Sequence, residues 1–61
     1  MVVVMYEMDG QLYNQNRPIP KEKKDAPRTW HVVVDGARGR AHRSRKLARD
    51  AARLERERAA A

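Results

Sequence analysis

Cysteine is absent from this chain, and long apolar runs and aromatic residues are scarce. Without cysteine, its 61 residues form neither a disulfide nor a thiol-dependent site. No apolar stretch approaches the roughly 20 residues of a membrane span, and residues 1–8 lack the basic start of a secretory signal. A chain this short buries only a modest core. We therefore expect one small, soluble, intracellular domain covering residues 1–61.

Side chains that support catalysis are also few. His31 and His42 are the only histidines, and neither is spaced with a carboxylate as metal ligands usually are. Ser44 has no nearby base in the sequence, so a helix cap explains it better than a nucleophile. There is no glycine-rich phosphate loop of the Walker type. We expect a non-catalytic protein with no metal site, no cofactor and no small-molecule ligand.

Positive charge, by contrast, is abundant and unevenly placed. Residues 1–36 carry five bases and five acids, whereas residues 37–61 carry nine bases and three acids and supply the whole net charge of +6. Such an asymmetry favours a polyanionic partner, with nucleic acid as the first choice and an anionic membrane surface as the second. The alternative is a solvated helix face held by ion pairs.

The first twenty-seven residues contain two segments with strand character and one loop. Val2–Met8 begins with three valines, which favour a strand, although tertiary context can override propensity and produce a short helix there. Leu12–Asn16 follows as a second strand, which Pro18 ends because proline donates no ladder hydrogen bond. Lys21–Pro27 is expected to be a charged loop.

The middle of the chain contains the clearest strand. Thr29–Asp35 alternates, with Trp30, Val32 and Val34 on one face and His31 and Val33 on the other. Arg38–Arg43 is expected to pair back on it as a basic edge strand. The dipeptides at residues 9–10 and 35–36 are both Asp-Gly, a strong hairpin turn signal.

A helix is expected from the Ser44 cap to about Ala60. At roughly 100° per residue, its side chains form two stripes that lie almost opposite each other. The basic stripe consists of Arg45, Arg49, Arg53 and Arg56. The apolar stripe consists of Leu47, Ala51 and Leu54, and we expect it to pack on the Trp30 face of the sheet. Because that stripe has two leucines and no aromatic anchor, binding to a membrane is the weakest interpretation.

The stretch Ala26–Ala52 resembles the C-terminal part of a double-stranded-RNA-binding domain. In that family the last helix opens with a serine, two bases, an alanine, a further base and a pair of alanines. The corresponding residues are Ser44, Arg45, Lys46, Ala48, Arg49, Ala51 and Ala52. Residues 26–36 are similar to the family's second strand and its Asp-Gly turn. The resemblance implies an α+β domain of order αβββα, whose three-stranded antiparallel sheet packs on the C-terminal helix. The first helix would be short, or a strand in its place.

The resemblance also implies a function, the binding of double-stranded RNA through its shape and its phosphates. Bases at a helix N-terminus, where the backbone N–H groups are free, suit an anion, and the small alanines would let the helix lie close to the sheet. The implied RNA contacts are Arg45, Lys46 and Arg49 with the neighbouring Ser44 and Arg43, the loop residues Lys23 and Lys24, and Glu7, which would meet ribose hydroxyls. Arg53, Arg56 and Arg58 would add long-range attraction only.

Two other functions fit the same elements. A three-stranded sheet with a C-terminal helix also occurs in the arm-binding domains of phage integrases, where the sheet enters the DNA major groove. A module of the double-stranded-RNA-binding fold can also serve protein interaction, as a homodimer or with a protein partner. Competition between matched RNA and DNA duplexes distinguishes the first from RNA binding, and a stable dimer that binds no duplex would identify the second.

Overall fold

In the computed structural model, which describes residues 1–60, four strands are followed by one helix. The strands are β1 (Val2–Met8), β2 (Gln11–Asn14), β3 (Thr29–Val34) and β4 (Ala37–His42), and the helix α1 spans Arg45–Ala60. The strands form one antiparallel sheet in the order β2-β1-β3-β4. Helix α1 packs against β1, β3 and β4. The predicted α+β class, an antiparallel sheet packed on a C-terminal helix, is confirmed.

The N-terminal segment is a central strand of this sheet. β1 pairs with β2 on one side and β3 on the other, and its side chains alternate so that Val4, Tyr6 and Met8 are buried. The strand interpretation of these residues is therefore right, and the short first helix of the αβββα order is wrong. The stiff, branched valines favour the extended backbone, and pairing on both edges stabilises it. The sheet consequently has four strands instead of three.

Two tight hairpins build the sheet, and both predicted Asp-Gly turns are confirmed. Asp9 and Gly10 have φ of 54° and 77°, and Asp35 and Gly36 have φ of 49° and 85°. Positive φ at both central residues defines the type I′ turn, whose twist matches that of the flanking strands. Residues 15–28 connect the hairpins and contain a 3₁₀ turn at Lys21–Lys23, within the segment predicted as a charged loop.

The contact between helix and sheet is made by small side chains. Ala48 and Ala52 are fully buried against Val4 and Val32, and Ala51 is half-buried beside them. The expectation that alanines let the helix lie close to the sheet is confirmed. The predicted apolar stripe is wrong at both leucines, which remain 49% (Leu47) and 57% (Leu54) exposed on the flank of the helix. Close approach of the helix backbone leaves no room for a leucine side chain beneath it.

Beyond the helix, an aromatic cluster continues the same face of the sheet. Tyr6 is 1% exposed, and its ring centroid lies 5.3 Å from those of both Tyr13 and Trp30. Its hydroxyl donates to the carbonyl oxygen of Arg17 at 3.1 Å, which ties the connecting segment to the sheet. Trp30 is half-buried and packs against the core, as expected of the first residue on the apolar face of β3.

The edge strand β4 contains a bulge. Val33 pairs with Arg38 while His31 pairs with Ala41, so one extra residue stands on β4 between these pairs. There, the carbonyl oxygen of Gly39 accepts a hydrogen bond from Nδ1 of the buried His31 at 3.1 Å. A basic edge strand was predicted at this place, and a bulge with arginines is typical of edges that avoid further pairing.

Candidate nucleic-acid interface

A groove of about 540 Å³ runs between α1 and the sheet, and basic side chains line most of it. Its sheet side consists of Val4 and of Gln15, which follows β2. Its helix side contains one acid, Asp50, and five bases. The five bases are Arg45, Lys46, Arg49, Arg53 and Arg56. Spacings of three and four residues place them on adjacent turns of the same helix flank, so the predicted basic stripe is confirmed as a feature of the surface.

The helix start is built as the sequence predicted. The backbone N–H of Leu47 donates to Oγ of Ser44 at 3.2 Å, and the N–H of Ala48 donates to the carbonyl oxygen of Ser44 at 3.2 Å. These are the two bonds of an N-cap residue. Ser44 therefore caps α1 and fixes the position at which Arg45 and Lys46 leave the backbone. Arg43, which precedes the cap, is exposed.

The bases of the groove differ in how much of their charge is already compensated. Lys46 Nζ lies 3.7 Å from Asp50, and Arg53 Nε lies 3.3 Å from Glu57; both pairs are exposed and four residues apart. Such surface pairs contribute little and open readily. Arg56 donates to the carbonyl oxygen of Val2 at 3.2 Å. Arg45 and Arg49 have no acidic partner among residues 1–60.

Glu7 lies on the other face of the sheet. It alternates with Tyr6 and Met8 along β1 and therefore points away from α1. Its carboxylate binds Arg38 at 2.8 Å and lies 3.8 Å from Nε2 of His31. The structure therefore does not bring Glu7 together with Arg45, Lys46 and Arg49 on one surface, because Glu7 lies on a strand instead of the first helix that the resemblance implies.

The loop lysines are also separate from the groove. Lys23 pairs with Asp9 of the first hairpin turn at 2.9 Å, and this hydrogen bond and the carboxylate charge raise the pKa of Lys23. Lys24 ends the 3₁₀ turn, and its carbonyl oxygen accepts a hydrogen bond from Arg28. Neither lysine lines the groove. Of the bases predicted to contact RNA, the groove brings together Arg45, Lys46 and Arg49.

The groove also includes residues that the sequence did not predict as direct contacts. Arg53 and Arg56, expected to act only at long range, line it beside the first three bases, and Gln15 and Val4 form its opposite side. The helical spacing of the two arginines was a usable signal. No sequence signal identifies Gln15, because its place depends on how the segment after β2 passes the helix.

No family model matches the chain, and comparison with curated proteins and with solved structures found no match. Within residues 1–60, α1 lacks the apolar length that a helix needs to cross a bilayer.

Proposed function

We propose that this protein binds double-stranded RNA through its phosphates, without catalysing a reaction. The observation that carries the proposal is the groove beside α1, where five bases face one acid and both Arg45 and Arg49 lack an acidic partner within residues 1–60. A row of bases in a concave surface creates a positive potential that attracts a polyanion and raises its local concentration.

The position of these bases on the helix supports anion binding. The first turn of α1 contains no acid, although acids are the residues that the helix dipole favours there. Arg45 and Lys46 occupy that turn instead, at a cost of about 0.3–1 kcal/mol each. An anion bound beside the free N–H groups offsets this repulsion and adds charge-assisted hydrogen bonds.

The opposite face of the sheet offers little to a nucleic acid. In the described strands it carries one base, Arg38, whose charge is already paired with Glu7 at 2.8 Å. If the sheet entered the DNA major groove, this face would therefore present no unpaired base of the strands to the phosphates. The edge of β4, with its bulge and arginines, likewise disfavours pairing with a second copy.

Double-stranded RNA fits this surface better than a ligand read by its bases. The arginines line a groove flanked by the sheet, from which they can contact phosphates on the surface of a duplex. A helix flanked in this way is not free to enter a wide major groove. In A-form RNA the major groove is deep and narrow, and proteins recognise the duplex through its shape, phosphates and ribose hydroxyls. The resemblance of residues 44–52 to the RNA-contacting helix supports the same ligand.

The test compares two double variants of equal net charge. Arg45→Gln with Arg49→Gln removes the two unpaired groove bases, whereas Arg40→Gln with Arg58→Gln removes two bases that line the other flank of α1. Glutamine keeps the helix propensity close to that of arginine. The affinity for a blunt RNA duplex, measured by fluorescence anisotropy, should fall about 10- to 100-fold more in the groove variant than in the control variant. Each tenfold loss corresponds to roughly 1.4 kcal/mol of binding free energy.

An unlabelled DNA duplex of the same sequence serves as competitor in the same assay. We expect DNA to compete less well than RNA. Equal losses in the two variants would assign the attraction to net charge alone, and tighter binding of DNA would replace the RNA proposal with a DNA-binding one. If no duplex binds and the protein is a dimer at micromolar concentration, a protein-interaction function takes its place.

A further inference from the structure

The apolar stripe of α1 remains on the surface, on the flank of the helix away from the basic groove. Leu47 and Leu54 are 49% and 57% exposed, and two helical turns separate them, so that they lie one above the other. Ala51 lies between them and is half-buried. Single apolar side chains are common on protein surfaces, but a continuous apolar patch with a polar rim marks an interaction surface.

One end of this stripe borders a cleft between α1 and β4. The cleft has a volume of about 470 Å³, within the range of roughly 300–1,000 Å³ that is usual for binding sites. Half of the residues that line it are apolar, and they come from both elements and from the strand beneath. These are Val32, Val34, Ala37, Ala51 and Leu54. The cleft is therefore suited to apolar side chains brought by another molecule.

The charges at the rim of the cleft indicate which molecule that is. Arg40 is exposed and has no acidic partner among residues 1–60. Arg58 pairs with Glu55 at 3.2 Å, but an exposed pair of this kind contributes little and opens readily. A second copy of this chain, with its net charge of +6, would bring further bases to these arginines. Because like charges across an interface disfavour binding, the rim favours an acidic partner.

The geometry of the surface favours a helix as that partner. A strand added to β4 would meet its bulge and its arginines, which disfavour further pairing. The exposed apolar residues of α1 recur instead at helical spacing. A partner helix with apolar residues three, four and seven positions apart presents a matching row to such a surface.

We infer that the cleft between α1 and β4 docks an acidic amphipathic helix of a partner protein. Its apolar side chains cover Leu54 and fill the cleft, and its carboxylates bind Arg40 and Arg58. The basic groove lies on the other flank of α1. The inference therefore goes beyond the proposed function and does not depend on it, because the two surfaces bind their ligands separately.

The experiment uses the full chain and a synthetic, fluorescently labelled peptide of about 18 residues, long enough to form a helix by itself. Leucines occupy one face of this helix, and glutamates occupy most other positions. A second peptide has the same composition in scrambled order, so that it keeps the charge but loses the apolar face. Fluorescence anisotropy at about 0.15 M salt, where long-range attraction is screened, should show binding of the amphipathic peptide only.

Leu54→Ala should weaken binding of the amphipathic peptide about tenfold, because it removes three carbons from a side chain with about half of its surface available for burial. Leu12→Ala is the matched control. Leu12 is also exposed, but it pairs with Glu7 and lies on the opposite face of the sheet. The control should bind the peptide as the wild type does, and circular dichroism checks that both variants are folded.

Two double variants of equal net charge distinguish the cleft from the basic groove. Arg40→Gln with Arg58→Gln should weaken peptide binding about three- to tenfold, and Arg45→Gln with Arg49→Gln should weaken it less. The order is the reverse of that expected for the RNA duplex. Loss of peptide binding consequently says nothing against RNA binding, and the two proposals fail separately.

Three results would overturn the inference. One is binding of neither peptide, or of both equally. Another is an effect of Leu54→Ala no larger than that of Leu12→Ala. The third is a greater loss from Arg45→Gln with Arg49→Gln, since the peptide would then lie in the basic groove as a polyanion. Sedimentation equilibrium of the protein alone should show a monomer at micromolar concentration. A dimer that Leu54→Ala dissociates would make a second copy the occupant and would overturn the inference as well.

Discussion

Gly39 shows how one residue without a side chain fits the edge strand to the sheet. A Cβ atom at this position would lie 2.9 Å from the carbonyl oxygen of Val32, closer than carbon and oxygen approach without strain. The neighbouring atom belongs to a backbone held by the ladder, so it cannot turn aside as a flexible side chain would. We therefore expect Gly39→Ala to lower the free energy of unfolding by about 1–3 kcal/mol.

Urea denaturation followed by circular dichroism measures this effect. Ala41→Ser is the control, because Ala41 is exposed on the same strand and a surface change there should remain within about 0.5 kcal/mol. A Gly39→Ala variant as stable as the control would show that the bulge of β4 is absent or relaxes freely. The need for glycine at position 39 could not be predicted from the sequence, because the bulge arises from the pairing of β4 with β3.

Among structural elements, the helix combines the clearest success and the clearest error of sequence reasoning. Its start at Ser44 and its basic flank follow from capping chemistry and helical spacing, both of which are local. Its buried side was predicted from helical spacing as the stripe of Leu47, Ala51 and Leu54. Which residues of a helix are buried depends also on how closely the sheet approaches, and here Ala48 and Ala52 occupy the contact.

This packing reverses the usual ranking of helix substitutions. Ala52→Leu adds three carbon atoms where Ala52 is fully buried between α1 and the sheet, and we expect it to destabilise the fold by about 1–3 kcal/mol. Leu54→Ala removes three carbons from a side chain that is 57% exposed, and we expect it to cost less than about 1 kcal/mol. Chemical denaturation of the two variants gives both values. A larger cost for Leu54→Ala would place the leucines in the core.

The strands illustrate which parts of an architecture are local. The valines of β1, the alternation of β3 and the two Asp-Gly turns each depend on a few neighbouring residues. The sequence predicted all three correctly. Whether Val2–Met8 is a strand or a helix was open because β1 becomes a central strand only when two other strands pair with it. The resemblance to an αβββα family favoured the helix, and β propensity favoured the strand that the sheet contains.

For the whole molecule, the proposed function depends on where the basic side chains lie relative to the groove between α1 and the sheet. The sequence established that residues 37–61 hold all of the excess charge, and helical spacing grouped most of the groove bases. It did not establish that the sheet would place Gln15 opposite them or direct Glu7 to the other face, because both depend on the path of the chain through space.

The concentration of charge in one groove predicts a specific response to salt. Each phosphate that a base neutralises releases counterions, so the affinity falls as salt is added. In a plot of the logarithm of the affinity against the logarithm of the salt concentration, each contact adds about one unit to the negative slope. Five groove bases give an expected slope for the wild type between about −4 and −5. The Arg45→Gln, Arg49→Gln variant should have a slope shallower by about two, because two contacts are lost.

The Arg40→Gln, Arg58→Gln variant distinguishes direct contacts between groove bases and phosphates from attraction by the net charge of the protein. It loses the same net charge but no base of the groove, so its slope should stay close to that of the wild type while its affinity falls slightly at low salt. Anisotropy titrations with the RNA duplex at four salt concentrations give both slopes. If both variants lose the same slope, the phosphates are spread over the whole basic surface and the groove has no special role in binding.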